Sequence, residues 1–160
     1  MEKGKWKSWT GLGVAASAVL ALGIGVAMAV AIFSQTIPTV AGTPAALTLG
    51  PCGNTLVATP SAVPYGGGLV IASCAGTGSG EAFDVGSTTT SVTPTFSLPG
   101  GASDLYVLPA ADTPTTTCGS DSSAVALTSG SPMTFGATGA YNYCIDATGG
   151  FTSFDVSWSQ

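Results

Sequence analysis

The chain has 160 residues, of which only 7% are charged: eight acids, three lysines and no histidine. Without histidine there is no Ser-His-Asp or Cys-His catalytic group, and the commonest metal ligand is missing. We therefore expect no catalytic residues, no metal site and no cofactor, and a protein that is not an enzyme. All three lysines lie in the first seven residues, so the remainder has no base to displace counterions and a nucleic-acid partner is disfavoured.

The first predicted element is an uncharged, largely apolar run over residues 12–33, which follows the three lysines. A positive start, an apolar run and the small-x-small sequence Ala-Met-Ala ending at Ala29 are typical of a secretory signal, here residues 1–29. As a retained helix, the same run would be about 33 Å long, enough to cross a hydrocarbon core of about 30 Å. Both interpretations stay open, and membrane contact is expected only through residues 12–33 if they are retained. In either case the lysines mark the cytoplasmic end, and the rest is predicted to be extracellular or at the cell surface.

Residues 30–40 are predicted to form an N-terminal strand that becomes free after cleavage. Its apolar side chains are Val30, Ile32, Phe33, Ile37 and Val40. A free apolar strand ahead of a β-domain can fold into its own core or complete the sheet of a neighbour. Repeated head to tail without closure, strand donation builds a filament. We therefore predict a donor strand in which Ile32 or Phe33, with Ile37, fills the core of the next copy of the chain.

Residues 41–160 are predicted to form one all-β domain. Short apolar runs alternate with glycine- and proline-containing turns, and the final run places Phe154, Val156 and Trp158 on one face with serine and aspartate on the other. Roughly eight such runs indicate an antiparallel β-sandwich or jelly roll. Tyr141 and Tyr143 are interpreted as ordinary strand aromatics.

Four cysteines lie in the exported part: Cys52, Cys74, Cys118 and Cys144. With no C-x-x-C motif and no histidine a zinc site is disfavoured, and in an exported chain four cysteines predict two disulfides. Of the three pairings, we favour Cys52–Cys74 with Cys118–Cys144, because this local pairing closes short loops that can form early.

The sequence Phe33-Ser34, followed by Ala41-Gly42-Thr43 and then by Leu47-Thr48-Leu49, comes directly after the signal-like run. This arrangement resembles the start of TasA/camelysin proteins, although Gln35 stands where those proteins usually have an acidic residue. The resemblance implies a jelly-roll subunit that builds extracellular fibres by donating its N-terminal strand, in a way similar to archaeal bundling pili and threads. It implies no metalloprotease activity, because the chain offers no zinc ligands to carry over.

The predicted function is a structural subunit of an extracellular filament that serves adhesion, bundling or biofilm formation. Its partners are copies of itself, with lateral bundling to other filaments. Three alternatives stay open: a pilin-like subunit with a core of retained helices, a membrane-anchored surface or virion protein, and a secreted carbohydrate-binding module or enzyme. The N-terminal residue of the native protein separates most of them. A start at residues 30–33 favours strand donation, a start near residue 12 favours a pilin, and Met1 favours an anchor.

Overall fold

A computed structural model describes residues 32–39, 45–59, 67–74 and 80–160. Over these residues the chain is all-β, as predicted, with no α-helix and one 3₁₀ turn at Cys118–Ser120. The predictions for the signal or anchor helix, the cut after Ala29, Val30 and Val40 fall outside the described residues. The strands are β1 (Ile32–Thr36), β2 (Leu47–Leu49), β3 (Thr55–Thr59), β4 (Gly68–Ser73), β5 (Phe83–Val85), β6 (Thr93–Phe96), β7 (Ala102–Pro109), β8 (Val125–Ala126), β9 (Gly139–Ala147) and β10 (Ser153–Ser159).

The longest strand, β9, lies at the centre of one half of the sheet. One of its edges pairs with β7, which pairs in turn with β8, and its other edge pairs first with β5 and then with β4. Five consecutive residues of β9, residues 141–145, are buried. A strand buried on both faces cannot show apolar alternation, which explains why the run G-A-Y-N-Y-C-I-D-A lacks it.

The other half of the sheet follows the order β4-β3-β1-β10-β6. Strand β3 belongs to both halves, because its last three residues pair with β4 and its first two pair with β1. Strand β6 lies at an edge and contains Pro94, a residue that a hydrogen-bonded inner strand does not tolerate. In β10 the burial alternates strictly, with Phe154, Val156 and Trp158 buried and their neighbours exposed, which confirms the predicted alternation of this strand.

The sheet is mixed, whereas the antiparallel fold was predicted for residues 41–160 and the direction of the strand before them was left open. Strand β1 runs parallel to β10 over five residue pairs, from Ile32 with Ser153 to Thr36 with Ser157. The other strand pairs that the described residues form are antiparallel. The physical reason is that alternation determines which face a strand buries but not the direction of the strand beside it.

The two halves of the sheet share one core. The Trp158 ring on β10 lies 5.8 Å from the Phe83 ring on β5 and its Nε1 lies 2.8 Å from the Tyr143 hydroxyl on β9. Since β4, β3 and β1 separate β9 from β10 in the hydrogen-bonded order, these contacts require the sheet to fold back on itself. Within the described ranges, no helix is long and apolar enough to cross a membrane.

Two disulfides join Cys52 to Cys74 and Cys118 to Cys144. This is the local pairing favoured from the sequence. The first bridge ties the turn before β3 to the end of β4, and the second ties the 3₁₀ turn to the centre of β9. Two disulfides are consistent with an oxidising environment.

Candidate functional site

The strand predicted to be donated occupies an inner position of the sheet. Strand β1 lies between β3 and β10, and no tight turn connects it to either neighbour. The backbone amide of Gln35 donates to the Asn54 carbonyl at 2.8 Å, and the backbone amide of Ile32 donates to the Thr152 carbonyl at 2.9 Å. We call the gap between β3 and β10, with the groups that receive the inward side chains of β1, the β1 slot.

Three side chains of this segment point into the core: Phe33, Gln35 and Ile37, which are 1%, 1% and 6% exposed. The Phe33 ring lies 6.0 Å from both the Phe151 and the Phe154 rings. Ile32 is 64% exposed, so it does not fill the core as the sequence analysis allowed. The two-residue period of a strand explains this, because an inward Phe33 requires an outward Ile32.

Gln35 is a polar residue buried between two apolar ones, and its whole carboxamide is hydrogen-bonded. Its Nε2 donates to the Gly53 carbonyl at 2.9 Å and to the Ala82 carbonyl at 2.5 Å. Its Oε1 accepts from the Tyr143 hydroxyl at 3.0 Å, and that hydroxyl accepts from Trp158 Nε1 at 2.8 Å. These four hydrogen bonds connect β1 to β9, to the turn before β3 and to the segment before β5, and through Tyr143 to β10. We call this set the carboxamide network.

The bond from Trp158 to Tyr143 determines the direction of the other bonds in the carboxamide network. The indole N–H of Trp158 can only donate, so the Tyr143 hydroxyl must accept from it and give its own single proton to Gln35. Gln35 must therefore present its oxygen to Tyr143 and its NH₂ to the two carbonyls. The reverse orientation would leave an amide oxygen facing two carbonyl oxygens, so the network fits a carboxamide in one orientation.

An aromatic cluster surrounds the network and keeps water away. The Phe83 ring lies 5.2 Å from the Tyr143 ring and 5.9 Å from the Tyr141 ring, and Phe135 lies 6.1 Å from Trp158. Buried polar groups in such surroundings are costly unless they are paired. The slot therefore combines an apolar wall with a small set of fixed polar partners.

Stability should fall at alkaline pH because of Tyr143. Burial raises the pKa of its phenol well above the ordinary value of 10.0, against a smaller lowering by the bond from Trp158. The linked stability is complete below the unfolded pKa of about 10 and is lost as the pH rises towards the folded pKa. Urea unfolding at pH 8 and pH 11 should show this loss in the native chain. Tyr143→Phe should reduce the loss, whereas Tyr106→Phe, at a half-buried tyrosine, should leave most of it. An unchanged loss in Tyr143→Phe would contradict this assignment.

The turn before β3 gives the slot two of its carbonyls, those of Gly53 and Asn54. Gly53 has a φ of +68°, which glycine adopts without strain, and its amide donates to the Gly50 carbonyl at 3.0 Å. At Gly50 an added Cβ would lie 2.2 Å from the Glu81 carbonyl oxygen, so only glycine fits there. The Cys52–Cys74 bridge closes the turn onto β4, where the Cys52 amide lies 3.0 Å from the sulfur of Cys74.

Where the chain leaves the slot after β1, the side chain of Gln160 makes a second set of hydrogen bonds. Its Nε2 donates to the Pro38 carbonyl at 3.1 Å, and its Oε1 accepts from the Ala46 amide at 2.7 Å. A cavity of about 270 Å³ lies beside this exit, with a mostly apolar lining: Ile37, Pro38, Thr39, Ala45, Leu47, Thr48 and Leu49. Gln160 thus holds the end of β1 against the start of β2.

The acidic side chains serve structural roles where the structure describes their bonds. Asp146 accepts from the Cys118 amide at 2.8 Å and so anchors the 3₁₀ turn. The hydroxyl and the backbone amide of Ser123 both donate to the Asp121 carboxylate, and these bonds lower the pKa of that carboxyl. Among the residues that the structure describes, no three His, Cys, Asp or Glu side chains gather where they could hold a metal ion.

Sequence reasoning found the strand but missed its polar centre. Phe33 and Ile37 do lie in the slot, but Gln35 was noted only as a departure from a resemblance and Tyr143 only as a strand aromatic. The sequence does carry one signal. Gln35 lies two residues from both Phe33 and Ile37, so in a strand its side chain is on the same face as theirs. A carboxamide at an inward position requires buried partners, and these come from segments 18 to 108 residues away along the chain.

No protein-family model, no curated protein and no solved structure matches this chain.

Proposed function

We propose that the chain is a structural subunit of an extracellular, cell-surface filament that serves adhesion, bundling or biofilm formation. Each copy donates β1 to the β1 slot of the next copy, and the receiving body is an antiparallel β-sandwich or jelly roll completed by that strand. The observation that carries the proposal is the placement of β1. It is the first described strand, it is inserted between β3 and β10, and it forms the parallel pair described above.

Strand β1 can be exchanged between two copies of the chain while its contacts within the slot stay the same. A strand joined to its neighbours by tight turns cannot leave its own domain, but seven residues, 39–45, separate Pro38 at the exit of the slot from Ala46 before β2. Fully extended, seven residues span about 23–25 Å, which is long enough for β1 to reach a body packed directly beside its own. The exchanged copy would make the same bonds and bury the same side chains as the self-inserted one, and this is why swapping an identical element is a low-cost route to assembly.

The surface composition supports an assembled protein. After residue 29 the chain carries seven acids, the eight of the whole chain minus Glu2, and no base. All seven charges are of like sign, but seven charges spread over the 131 residues after position 29 leave large uncharged areas through which copies can pack. The folding of the sheet onto itself, with Trp158 of β10 packed against Phe83 of β5, supports the sandwich form of the receiving body.

Engineered disulfides across β1 and β10 should test strand exchange directly. Ser34 pairs with Asp155 and its hydroxyl donates to that carboxylate, so Ser34→Cys with Asp155→Cys places two thiols within reach. In a donated arrangement the new bond joins two chains, and a non-reducing gel should show a ladder of covalent multimers.

Thr95→Cys with Ser157→Cys is the matched control. These exposed residues pair across β6 and β10, within the body of one copy, so their bond should stay within one chain. A ladder in the first variant alone supports strand donation. Monomer in both variants means that β1 stays in its own slot, and the proposed function is then wrong. A ladder in both would indicate random contact between chains.

A further inference from the structure

We propose that the β1 slot is a selective binding site for one class of peptide, and that Gln35 is the residue it selects. The ligand is an extended segment with an aromatic residue, a carboxamide and an aliphatic residue at alternate inward positions, supplied by a second copy of this chain as Phe33, Gln35 and Ile37. This inference rests on the proposed function and adds what determines the partner and the register.

The selectivity comes from the polar groups that remain when the slot is empty. Without Gln35, the Gly53 carbonyl loses a donor and the Tyr143 hydroxyl loses its acceptor, whereas the Ala82 carbonyl keeps its bond from the Gly50 backbone amide. Water could satisfy these groups in an open slot, but an incoming strand covers them. A strand with an apolar side chain at this position would leave buried polar groups unpaired, a larger penalty than the loss of one hydrogen bond.

The same groups determine the register. A slip of one residue would turn the inward side chains outward, which the apolar wall already opposes. A slip of two residues still places an apolar side chain, Phe33 or Ile37, at the central inward position, and Ala31 or Thr39 then enters at one end. The wall alone therefore resists this slip weakly. Such a slip, however, brings Phe33 or Ile37 against the two carbonyls and the Tyr143 hydroxyl, and it moves the carboxamide into the apolar part of the slot.

Ser34 and Thr36 do not contribute to this selection. Both alternate with the inward residues, and Thr36 is exposed. Ser34 contacts the exposed Asp155 side chain on the outer face of β10. Selection by the slot should therefore depend on position 35 and be insensitive to position 36.

A competition between full-length donor chains tests the inference. The acceptor carries Asp155→Cys. Two donors carry Ser34→Cys, and one of them also carries Gln35→Met, which keeps the length of the side chain but removes its hydrogen bonds. The donors differ in a size tag and are refolded together with the acceptor, with native disulfides intact. We expect the Gln35 donor to exceed the methionine donor at least about tenfold in the interchain product. Gln35→Glu should compete as poorly at neutral pH, because a carboxylate cannot donate to the two carbonyls.

Two controls separate selection from misfolding. A donor with Ser34→Cys and Thr36→Ala should compete equally with the donor that keeps Thr36. A chain with Gln35→Met and Asp155→Cys should accept the native strand as well as the Asp155→Cys chain does, since its slot is unchanged. Equal products from the Gln35 and methionine donors, or a parallel loss of donor and acceptor capacity, overturn the selectivity but leave strand donation standing. No interchain product from any donor overturns strand donation, and the selectivity with it.

Discussion

Reducing both disulfides should remove a large part of the free energy of unfolding of the protein. The bridged cysteines are 22 and 26 residues apart, and constraint of loops of this length stabilises a fold by about 3 kcal/mol each. A domain of this size has a total stability of about 5–15 kcal/mol, and residues after Lys7 include no base that could form compensating ion pairs with the acids. We expect the Tm to fall by roughly 20 °C or more on reduction, measured by circular dichroism with and without a phosphine reductant.

The two bridges should differ in what their removal changes. Cys118 and Cys144 are fully buried against Leu108, so their replacement by alanine opens space in a packed region and should lower the Tm more. Cys52 and Cys74 hold the turn that presents the Gly53 and Asn54 carbonyls to β1. Their replacement should lower the Tm less but reduce capture of a donor strand more. Free thiols at all four positions in the unreduced, denatured protein would contradict the whole expectation.

Much of the fold could be predicted because strands that bury one face and expose the other follow simple alternation. Strand β10 shows this best: its buried and exposed residues follow the sequence pattern without exception. Strand β9 could not be identified this way, because it is covered on both faces and its sequence carries no period. The parallel pairing of β1 with β10 could not be predicted from the sequence either. It joins residues 121 positions apart, such as Ser34 and Asp155, and local patterns do not report which strands become neighbours.

The candidate site was predictable in its apolar part and unpredictable in its polar part. Phe33 and Ile37 are apolar residues in a segment with strand period, so their burial follows from elementary transfer energetics. The burial of Gln35 follows only from its partners, and two of these are backbone carbonyls that leave no trace in the sequence. A polar residue at an inward position therefore indicates a specific tertiary arrangement, although it does not identify the arrangement.

The proposed strand donation would give the buried carboxamide a second role beside its contribution to monomer stability. Within one chain the carboxamide already stabilises the fold, because its backbone partners cannot be replaced and an apolar residue at position 35 would leave polar groups unpaired. A strand that must find one slot, in one register, among many copies of the same low-charge surface benefits from a polar group that fits in one place. The apolar residues supply affinity in this view, and the carboxamide network supplies the register.

Deleting residues 30–39 should abolish polymerisation while leaving a disulfide-bonded body that binds the missing peptide. Without β1, the edges of β3 and β10 are unpaired, and Phe33 no longer fills the space beside Phe151 and Phe154. The truncated chain should therefore be less stable alone and gain about 2.7 kcal/mol when the peptide is present at a hundred times its Kd.

Electron microscopy and thermal unfolding measure the two expected effects of this deletion. The native peptide should raise the Tm of the truncated chain, whereas a scrambled peptide of the same composition should not, because it cannot place an aromatic residue, a carboxamide and an aliphatic residue at alternate inward positions. The truncated chain has a slot but no β1. Each copy can therefore bind a donor strand but cannot donate one, and a filament cannot grow. Ordered filaments formed by the truncated chain would show that assembly does not use β1, and the hydrophobic segment over residues 12–33 would then be the better candidate for the filament contact.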